Sequence, residues 1–112
     1  MARVLAVVPD LMFASRVEAT LRAVGHEVEL VRAVDAIDAT GADVVLGDLA
    51  EVDPHDLAAL GPPVLGFYSH VDVDTRKRAE EAAIDLVVPR SRMAREMPEL
   101  VASLLTGDRD CD

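Results

Sequence analysis

Two aspartates stand where the first and third apolar segments of the chain end, and both could do chemistry there. Asp10 follows the run VLAVVP, and Asp48 follows VVLG. A carboxylate at such a position can bind a hard cation such as Mg²⁺, or it can accept a phosphoryl group as a nucleophile. The alternatives are structural, because Asp10 would cap the helix that follows it and Asp48 would cap a loop. The residues alone leave both interpretations open.

Ser69, His70 and Arg90 follow the fourth and fifth apolar segments, PVLGFY and DLVVP. Zinc takes three or four protein ligands, so His70 together with Asp72 does not make a zinc site. Ser69 has no base partner beyond His70, which argues against a catalytic nucleophile. Ser69, His70 and Arg90 are therefore candidates for binding an anion or acting in a switch, and no catalytic residue is predicted.

The basic residues of the chain are unevenly distributed. Six of the eleven Lys and Arg residues fall within residues 76–95, namely Arg76, Lys77, Arg78, Arg90, Arg92 and Arg95. This segregation predicts a positive patch that docks onto an acidic protein surface. The alternative is a solvated charge run paired with Glu80, Glu81 and Glu96.

The elements that must position these side chains alternate along the chain, as in βαβ units. The predicted strands are residues 4–8, 26–31, 43–47, 64–68 and 84–88. The predicted helices are residues 11–24, 33–39, 53–60 and 74–83, and a last helix that starts near Pro98 after an irregular basic segment, RSRMARE. The segment HEVELV alternates polar and apolar residues, so Val28 and Leu30 are predicted to lie on an edge strand.

Helical spacing and turn residues define the faces and ends of several elements. The buried face of the first helix is predicted to comprise Phe13, Val17, Leu21 and Val24. The apolar stripe of the last helix is predicted to comprise Met97, Leu100, Val101, Leu104 and Leu105. Asp53 followed by Pro54 is typical of a helix start. Gly47 and Gly66 are isolated within strands, where they are expected to allow close packing.

An alternating edge strand that is second in sequence, with right-handed crossovers, favours a doubly wound α/β fold. We predict a five-stranded parallel sheet in the order 2-1-3-4-5, covered by helices in three α/β/α layers. The carboxyl ends of strands 1, 3 and 4 then meet at the topological switch point. The loops that carry Asp10, Asp48, Tyr68, Ser69 and His70 converge there.

Length and charge limit the class of protein. A chain of 112 residues fits one domain, predicted over residues 1–105, with residues 106–112 as a disordered tail. A formal net charge of −10 argues against direct nucleic-acid binding, which needs a basic surface. No apolar run reaches membrane-spanning length, and Cys111 is the only cysteine. These features predict a cytoplasmic protein that does not enter a membrane.

The succession VLAVVPD, VVLGD, PVLGFYS and DLVVPR resembles the receiver domain of bacterial response regulators, including the chemotaxis (CheY-like) type, over residues 2–105. The resemblance implies a flavodoxin-like fold and a role in two-component signal transduction. It also implies roles for two residues: Asp10 matches the second of two acids that hold Mg²⁺, and Asp48 matches the aspartate that takes the phosphoryl group.

The sequence departs from the receiver pattern at three site positions and in the loop after Asp48, which is shorter than usual and lacks its customary proline. Pro9 stands where the first metal-binding acid is expected, and Val88 stands where a lysine pairs with the phosphoryl oxygens. Tyr68 stands where a Thr or Ser binds the phosphoryl group, with Ser69 one residue later. Phosphoryl transfer depends on neutralising the incoming charge, so these losses predict a degenerate receiver, or pseudo-receiver.

We therefore expect a stand-alone, non-enzymatic signalling or protein-interaction module with a degenerate phosphorylation site. It requires no cofactor, and Mg²⁺ would bind only weakly through Asp10 and Asp48. The resemblance also implies a protein partner or a homodimer. One alternative is a phosphoryl-accepting switch in which Arg90 or Ser69 supplies the missing contacts to Asp48. Another is a domain that binds a small anion or nucleotide at the switch point through Ser69, His70 and Arg90.

Overall fold

The protein is described by a computed structural model that covers residues 2–31, 41–68 and 73–105. Five parallel strands form one sheet: β1 (Arg3–Val7), β2 (Glu27–Val31), β3 (Val44–Asp48), β4 (Val64–Tyr68) and β5 (Leu86–Pro89). Their order across the sheet is β2-β1-β3-β4-β5. The predicted strand order and parallel, doubly wound α/β architecture are confirmed, with most strand ends shifted by one or two residues.

Four helices lie within the described ranges: α1 (Leu11–Ala23), α2 (Pro54–Ala58), α3 (Val73–Glu81) and α4 (Arg90–Leu105). The start of α2 is confirmed, because the Asp53 side chain accepts a hydrogen bond from the His55 backbone N–H and Pro54 is the first helical residue. The helix predicted over residues 33–39, the residues Ser69, His70 and Asp72, and the tail from residue 106 lie outside the described ranges.

Two hydrophobic cores cover the two faces of the sheet, because successive residues of a strand point to opposite faces. On one face, Val4, Ala6 and Phe67 pack with buried residues of α1 and α4. On the other face, Leu5 and Val7 pack with residues of α2 and α3. Burial on both faces explains why the inner strands are continuous apolar runs.

The edge position predicted for HEVELV is confirmed, since β2 pairs only with β1 in the sheet. Val28 is buried, whereas Leu30 is partly exposed. Val24 was predicted to share the buried face of α1, and this is wrong. The helix ends at Ala23, Gly25 follows with a φ of 96°, and Val24 at the turn is 53% exposed. Ala14 is buried on this face in addition to the three predicted residues.

The segment RSRMARE was predicted to be irregular, and this is wrong, because it forms the first turns of α4. Met93 is fully buried against the sheet, and Arg92 pairs with Glu96 one turn later at 3.2 Å. The sequence predicts a helix start near Pro98. In the structure, α4 is kinked two residues earlier, at Glu96, where φ is −119°. After the kink Pro98 lies in a first turn, where its missing N–H costs little. The predicted stripe is buried except at Leu105, which is 37% exposed.

The close packing expected at the two strand glycines is confirmed. A Cβ on Gly47 would lie 2.3 Å from Cδ1 of Leu57. A Cβ on Gly66 would lie 2.9 Å from Cδ2 of Leu49. Both leucines are buried in the core on the α2 and α3 side of the sheet. Each occupies space that a side chain at the glycine would need.

Candidate functional site

The candidate site is a cleft at the carboxyl ends of β1 and β3. These strands are parallel neighbours with Val7 opposite Gly47, so Asp48 ends β3 close to the loop that carries Asp10. The cleft has a volume of about 300 Å³ and is lined by Pro9, Asp10, Asp48, Ala50, Glu51 and Arg90. We call it the acid pocket. It brings together three of the candidate site residues, Asp10, Asp48 and Arg90.

Asp48 is the only charged residue that is buried in the described part of the chain, with 4% of its surface exposed. Its Oδ1 accepts a hydrogen bond from the Ala50 backbone N–H at 3.0 Å, and its carbonyl accepts the N–H groups of Glu51 and Val52. Asp48 therefore caps the turn that follows β3. Burial raises the pKa of its carboxyl, and the Ala50 N–H and the Arg90 charge oppose that rise.

Asp10 caps α1 and also forms an ion pair. Its Oδ1 accepts the backbone N–H groups of Met12 at 3.0 Å and Phe13 at 3.3 Å. Its Oδ2 accepts a hydrogen bond from Nη2 of Arg90 at 2.7 Å. The Arg90 hydrogen bond is the largest cause that lowers the pKa of Asp10, followed by the Phe13 N–H. Both oxygens of Asp10 thus have donors from within the protein.

Arg90 is held over the sheet by an aromatic stack as well as by Asp10. Its guanidinium carbon lies 4.3 Å from the ring centre of Phe13. The Phe13 ring in turn lies 5.0 Å from the ring of Phe67 on β4. A guanidinium over an aromatic face is attracted by the ring quadrupole, so this stack fixes where the cation lies.

The ion pair between Arg90 and Asp10 was not predicted, although each residue was named as a candidate. The two are 80 residues apart in the chain. One signal could have indicated it: Arg90 directly follows the fifth strand, whose carboxyl end lies on the same side of a parallel sheet as that of the first strand. The loops after those strands can therefore meet.

The acid pocket does not suit a magnesium ion as it stands. Mg²⁺ requires oxygen ligands in near-ideal octahedral geometry. Both oxygens of Asp10 are engaged by hydrogen-bond donors, and the Arg90 cation lies directly beside them. Across residues 2–31, 41–68 and 73–105, no three His, Cys, Asp or Glu side chains are grouped as a metal site would need. A metal at Asp10 would have to displace Arg90.

The basic residues predicted as one partner surface lie on α3 and α4, which pack against opposite faces of the sheet and flank the β5 edge. Most of them make ion pairs. Arg76 pairs with Glu80 at 3.8 Å and Arg78 pairs with Asp53 at 2.8 Å. Arg92 and Arg95 both pair with Glu96. Lys77 forms no ion pair within the described ranges.

No helix in the described ranges is long and apolar enough to cross a lipid bilayer.

Tyr68, at the end of β4, is half-buried and lines a small cleft with Arg76, Glu80 and Val87. That cleft lies on the α3 side of the β5 edge, apart from the acid pocket.

Several solved structures that superpose on the chain are receiver domains. A CheY-like response regulator receiver domain protein from Methanospirillum hungatei JF-1 superposes with a TM-score of 0.83 and 16% identity, over 100% of this chain and 99% of the other. A signal receiver domain of a histidine kinase from Syntrophus aciditrophicus has a TM-score of 0.80 and 20% identity, over 98% and 94%. The non-phosphorylated HemR receiver domain from Leptospira biflexa has a TM-score of 0.77 and 18% identity, over 95% of both chains.

No protein-family model and no curated protein matches the sequence. The structural likeness covers nearly the whole of this chain, whose five parallel strands lie in the order β2-β1-β3-β4-β5 with helices on both faces. The chain therefore has the fold of a CheY-like response regulator receiver domain.

Proposed function

We propose that the chain is a non-enzymatic signalling module of the receiver type that works in the cytoplasm through a protein partner, with a phosphorylation site that is degenerate. The observation that carries the proposal is the 2.7 Å ion pair between Asp10 and Arg90 beside the buried Asp48. The pair occupies the two groups that would otherwise serve an incoming metal ion or phosphoryl group.

The charges of the acid pocket support this proposal. A phosphoryl group brings up to about two negative charges at neutral pH. Among the described residues, three carboxylates line the pocket, those of Asp10, Asp48 and Glu51, and Arg90 is the one cation. Transfer to Asp48 would add negative charge to a cleft whose Arg90 guanidinium already pairs with Asp10. Such a transfer needs compensating cations, because electrostatic stabilisation supplies most of its catalysis.

The positions that carry further charge in receivers contribute none here. Val88 is fully buried in the first core, so its position on β5 gives an apolar contact instead of an ammonium group. Pro9 lines the pocket without a side-chain oxygen. Both features agree with a module whose output does not depend on phosphorylation of Asp48.

The partner we propose is a protein with an acidic surface that docks beside the β5 edge. Arg76, Lys77 and Arg78 project from α3 on one side of this edge, and Arg92 and Arg95 from α4 on the other. All five side chains are exposed. Their existing ion pairs are exposed and worth little, so an acidic partner can replace them at low cost. A homodimer would be the alternative assembly at the same edge.

The test is exposure of the full chain to a small-molecule phosphodonor and Mg²⁺, followed by intact-mass measurement. We expect no stoichiometric addition of a phosphoryl group. An Asp48→Asn variant is the matched control, because it removes only the acceptor carboxylate. Stoichiometric modification of the wild-type chain that is lost in Asp48→Asn would overturn the proposal.

A second candidate is a phosphoryl-accepting switch, and one observation favours it. Arg90 lines the same pocket as Asp48, and its charge opposes the rise that burial causes in the pKa of that carboxyl, so a cation does act on the acceptor. This candidate predicts that beryllofluoride with Mg²⁺ shifts the amide signals of Asp10, Asp48 and Arg90 together. Absence of such shifts at millimolar Mg²⁺ would reject it.

A further inference from the structure

A second and larger cleft lies between the first turns of α1 and α4, apart from the acid pocket. It has a volume of about 520 Å³ and is lined by Met12, Phe13, Arg16, Arg90, Ser91 and Ala94. Small-molecule sites in proteins typically have volumes of about 300–1,000 Å³. We call it the α1–α4 cleft.

Among the residues that the structure describes, the charged groups that line the α1–α4 cleft are all positive. Two guanidiniums line it, and no carboxylate from residues 2–31, 41–68 or 73–105 does. Arg16 is exposed and makes no ion pair or hydrogen bond within the described ranges. Its neighbours one helical turn away are Met12 and Thr20, so α1 offers it no acid. Arg90 uses Nη2 for Asp10 and retains further N–H donors, because a guanidinium has five.

An unpaired arginine is unusual among the described residues. The net charge is −10, and seven of the nine Lys and Arg residues in the described ranges form ion pairs. The two others are Arg16 and Lys77. Lys77 lies on the exposed side of α3, whereas Arg16 lines a cleft that it shares with a second guanidinium.

Apart from the Ser91 hydroxyl, the remaining lining of the α1–α4 cleft is apolar. The Met12 side chain is 86% exposed at its mouth, and Ala94 lies on the α4 side. A thioether is polarisable and adapts to aromatic and aliphatic groups. Exposed large apolar side chains beside a concave, charged surface are typical of a binding site.

We propose that the α1–α4 cleft binds an organic phosphate monoester whose phosphate lies between Arg16 and Arg90 and whose apolar group packs on Met12. Guanidiniums bind phosphate oxygens through paired, charge-assisted hydrogen bonds, and the Ser91 hydroxyl can donate another. Arg16 forms no ion pair in the described ranges, and Arg90 keeps N–H donors that Asp10 does not use, so both can face the charge of up to about −2 that a phosphate monoester carries at neutral pH. The cleft shares Arg90 with the acid pocket, but binding there does not depend on the function proposed above.

The test is an amide chemical-shift titration of the full chain with phenyl phosphate. We expect saturable shifts at Met12, Arg16, Ser91 and Ala94. Arg16→Gln should weaken binding at least about tenfold, because it removes charged hydrogen bonds to the ligand. The matched control is Lys77→Gln, which removes the same charge from an unpaired residue on α3 and should change the affinity less than about twofold.

Two further probes separate the parts of the ligand. Inorganic phosphate lacks the apolar group and should bind more weakly than phenyl phosphate, and phenol lacks the acid and should give no saturable shift. The proposal is overturned by equal affinities for the two phosphates, or by an Arg16→Gln variant that binds like the wild type. Shifts confined to Ala50 and Glu51 would also overturn it, because they would place the ligand in the acid pocket.

Discussion

At the scale of single residues, Asp48 and Asp10 lie in one pocket but have opposite electrostatic environments. Burial raises the pKa of Asp48, whereas the Arg90 hydrogen bond and the Phe13 N–H lower that of Asp10. At neutral pH the ionised Asp48 therefore destabilises the folded state, and the ionised Asp10 stabilises it. Their separate contributions can be measured through the pH dependence of unfolding.

Replacing Asp48 with Asn should stabilise the protein at pH 7 by on the order of 1 kcal/mol, the usual size of a buried polar effect. The Asn carbonyl oxygen can still accept the Ala50 N–H, so the turn is kept. Because the folded-state pKa of Asp48 is raised above 3.8, the folded protein binds more protons than the unfolded chain above that pH. Stability is therefore lost as pH rises through the raised pKa.

Urea unfolding of wild type and Asp48→Asn at a series of pH values measures this effect. The difference in unfolding free energy should be largest at neutral pH and should shrink as pH falls to 3.8. A wild type that is the more stable of the two at pH 7 would show that Asp48 is stabilised by its neighbours instead of penalised by burial.

Replacing Asp10 with Asn should have the opposite sign. Asn caps a helix about as well as Asp, so the variant keeps the α1 cap and loses mainly the ion pair with Arg90. The folded-state pKa of Asp10 is below 3.8, so its stabilisation is complete above that pH and is lost as pH falls through the folded pKa. We expect a lower urea midpoint for Asp10→Asn at pH 7 and coincident midpoints at the acid end.

Arg90→Gln provides the companion variant for Asp10→Asn. If the ion pair is what Asp10→Asn removes, each single variant already loses it, so the double variant should be more stable than the sum of the two single effects predicts. Additive effects of the two substitutions would contradict the assignment.

The positions of Asp10 and Asp48 could be predicted from the sequence, and so could their capping of the segments that follow, but the ion pair of Asp10 with Arg90 could not. Each aspartate ends an apolar run, and a parallel sheet places such ends along one edge. The contact of Asp10 with Arg90 depends on the packing of α1 and α4 and on the stack of Phe13 on Phe67, which are tertiary features. Sequence patterns report such long-range contacts poorly.

At the scale of elements, the strands were the most predictable part of the fold because burial on both faces demands continuous apolar residues. The first half of α4 was predicted wrongly for a physical reason. Its segment carries four charged side chains, and its main buried contact there is Met93, so its apolar periodicity is weak. Because α4 is kinked at Glu96, Pro98 lies in the first turn after the kink. A proline in a first turn is also the sequence pattern of a helix start, so the sequence placed the start of the helix there.

The contact of α2 with β3 depends on the absence of a side chain at Gly47. Gly47→Ala should destabilise the protein by about 1–3 kcal/mol, because the new Cβ would lie 2.3 Å from Leu57, which is fully buried and cannot move aside freely. Chemical denaturation gives the change in unfolding free energy.

The control for Gly47→Ala is the same substitution in a Leu57→Ala background. Truncating Leu57 removes the atoms that the new methyl group would meet, so Gly47→Ala should cost less there than in the wild type. An equal cost in both backgrounds would mean that the penalty comes from the backbone of β3 and not from the contact with α2.

At the scale of the whole molecule, the sheet divides the protein into two sides that carry different charged groups. The side covered by α1 and α4 carries Arg90, which lines both the acid pocket and the α1–α4 cleft. The side covered by α2 and α3 carries Lys77 and the ion pair of Arg78 with Asp53. Because one guanidinium borders both clefts, a ligand that draws Arg90 toward Arg16 would raise the pKa of Asp10.

The acidic surplus of the molecule should make its stability depend on salt. A net charge of −10 destabilises the compact state through self-repulsion, and salt screens this repulsion. Salt also weakens the exposed ion pairs, but each of these contributes only about 0–1 kcal/mol. We therefore expect the urea midpoint to rise as NaCl increases toward about 1 M, where the screening length falls to roughly 3 Å.

Lys77→Gln is the sharpest probe of this balance, because it makes the net charge one unit more negative without breaking an ion pair in the described ranges. At low salt the variant should be less stable than the wild type, and the difference should disappear when salt screens the added repulsion. Urea titrations of both proteins at low and high NaCl give the two differences. A deficit that persists at high salt would trace the loss to the packing of the lysine side chain, and a wild-type midpoint that falls with salt would show that the ion pairs outweigh the repulsion.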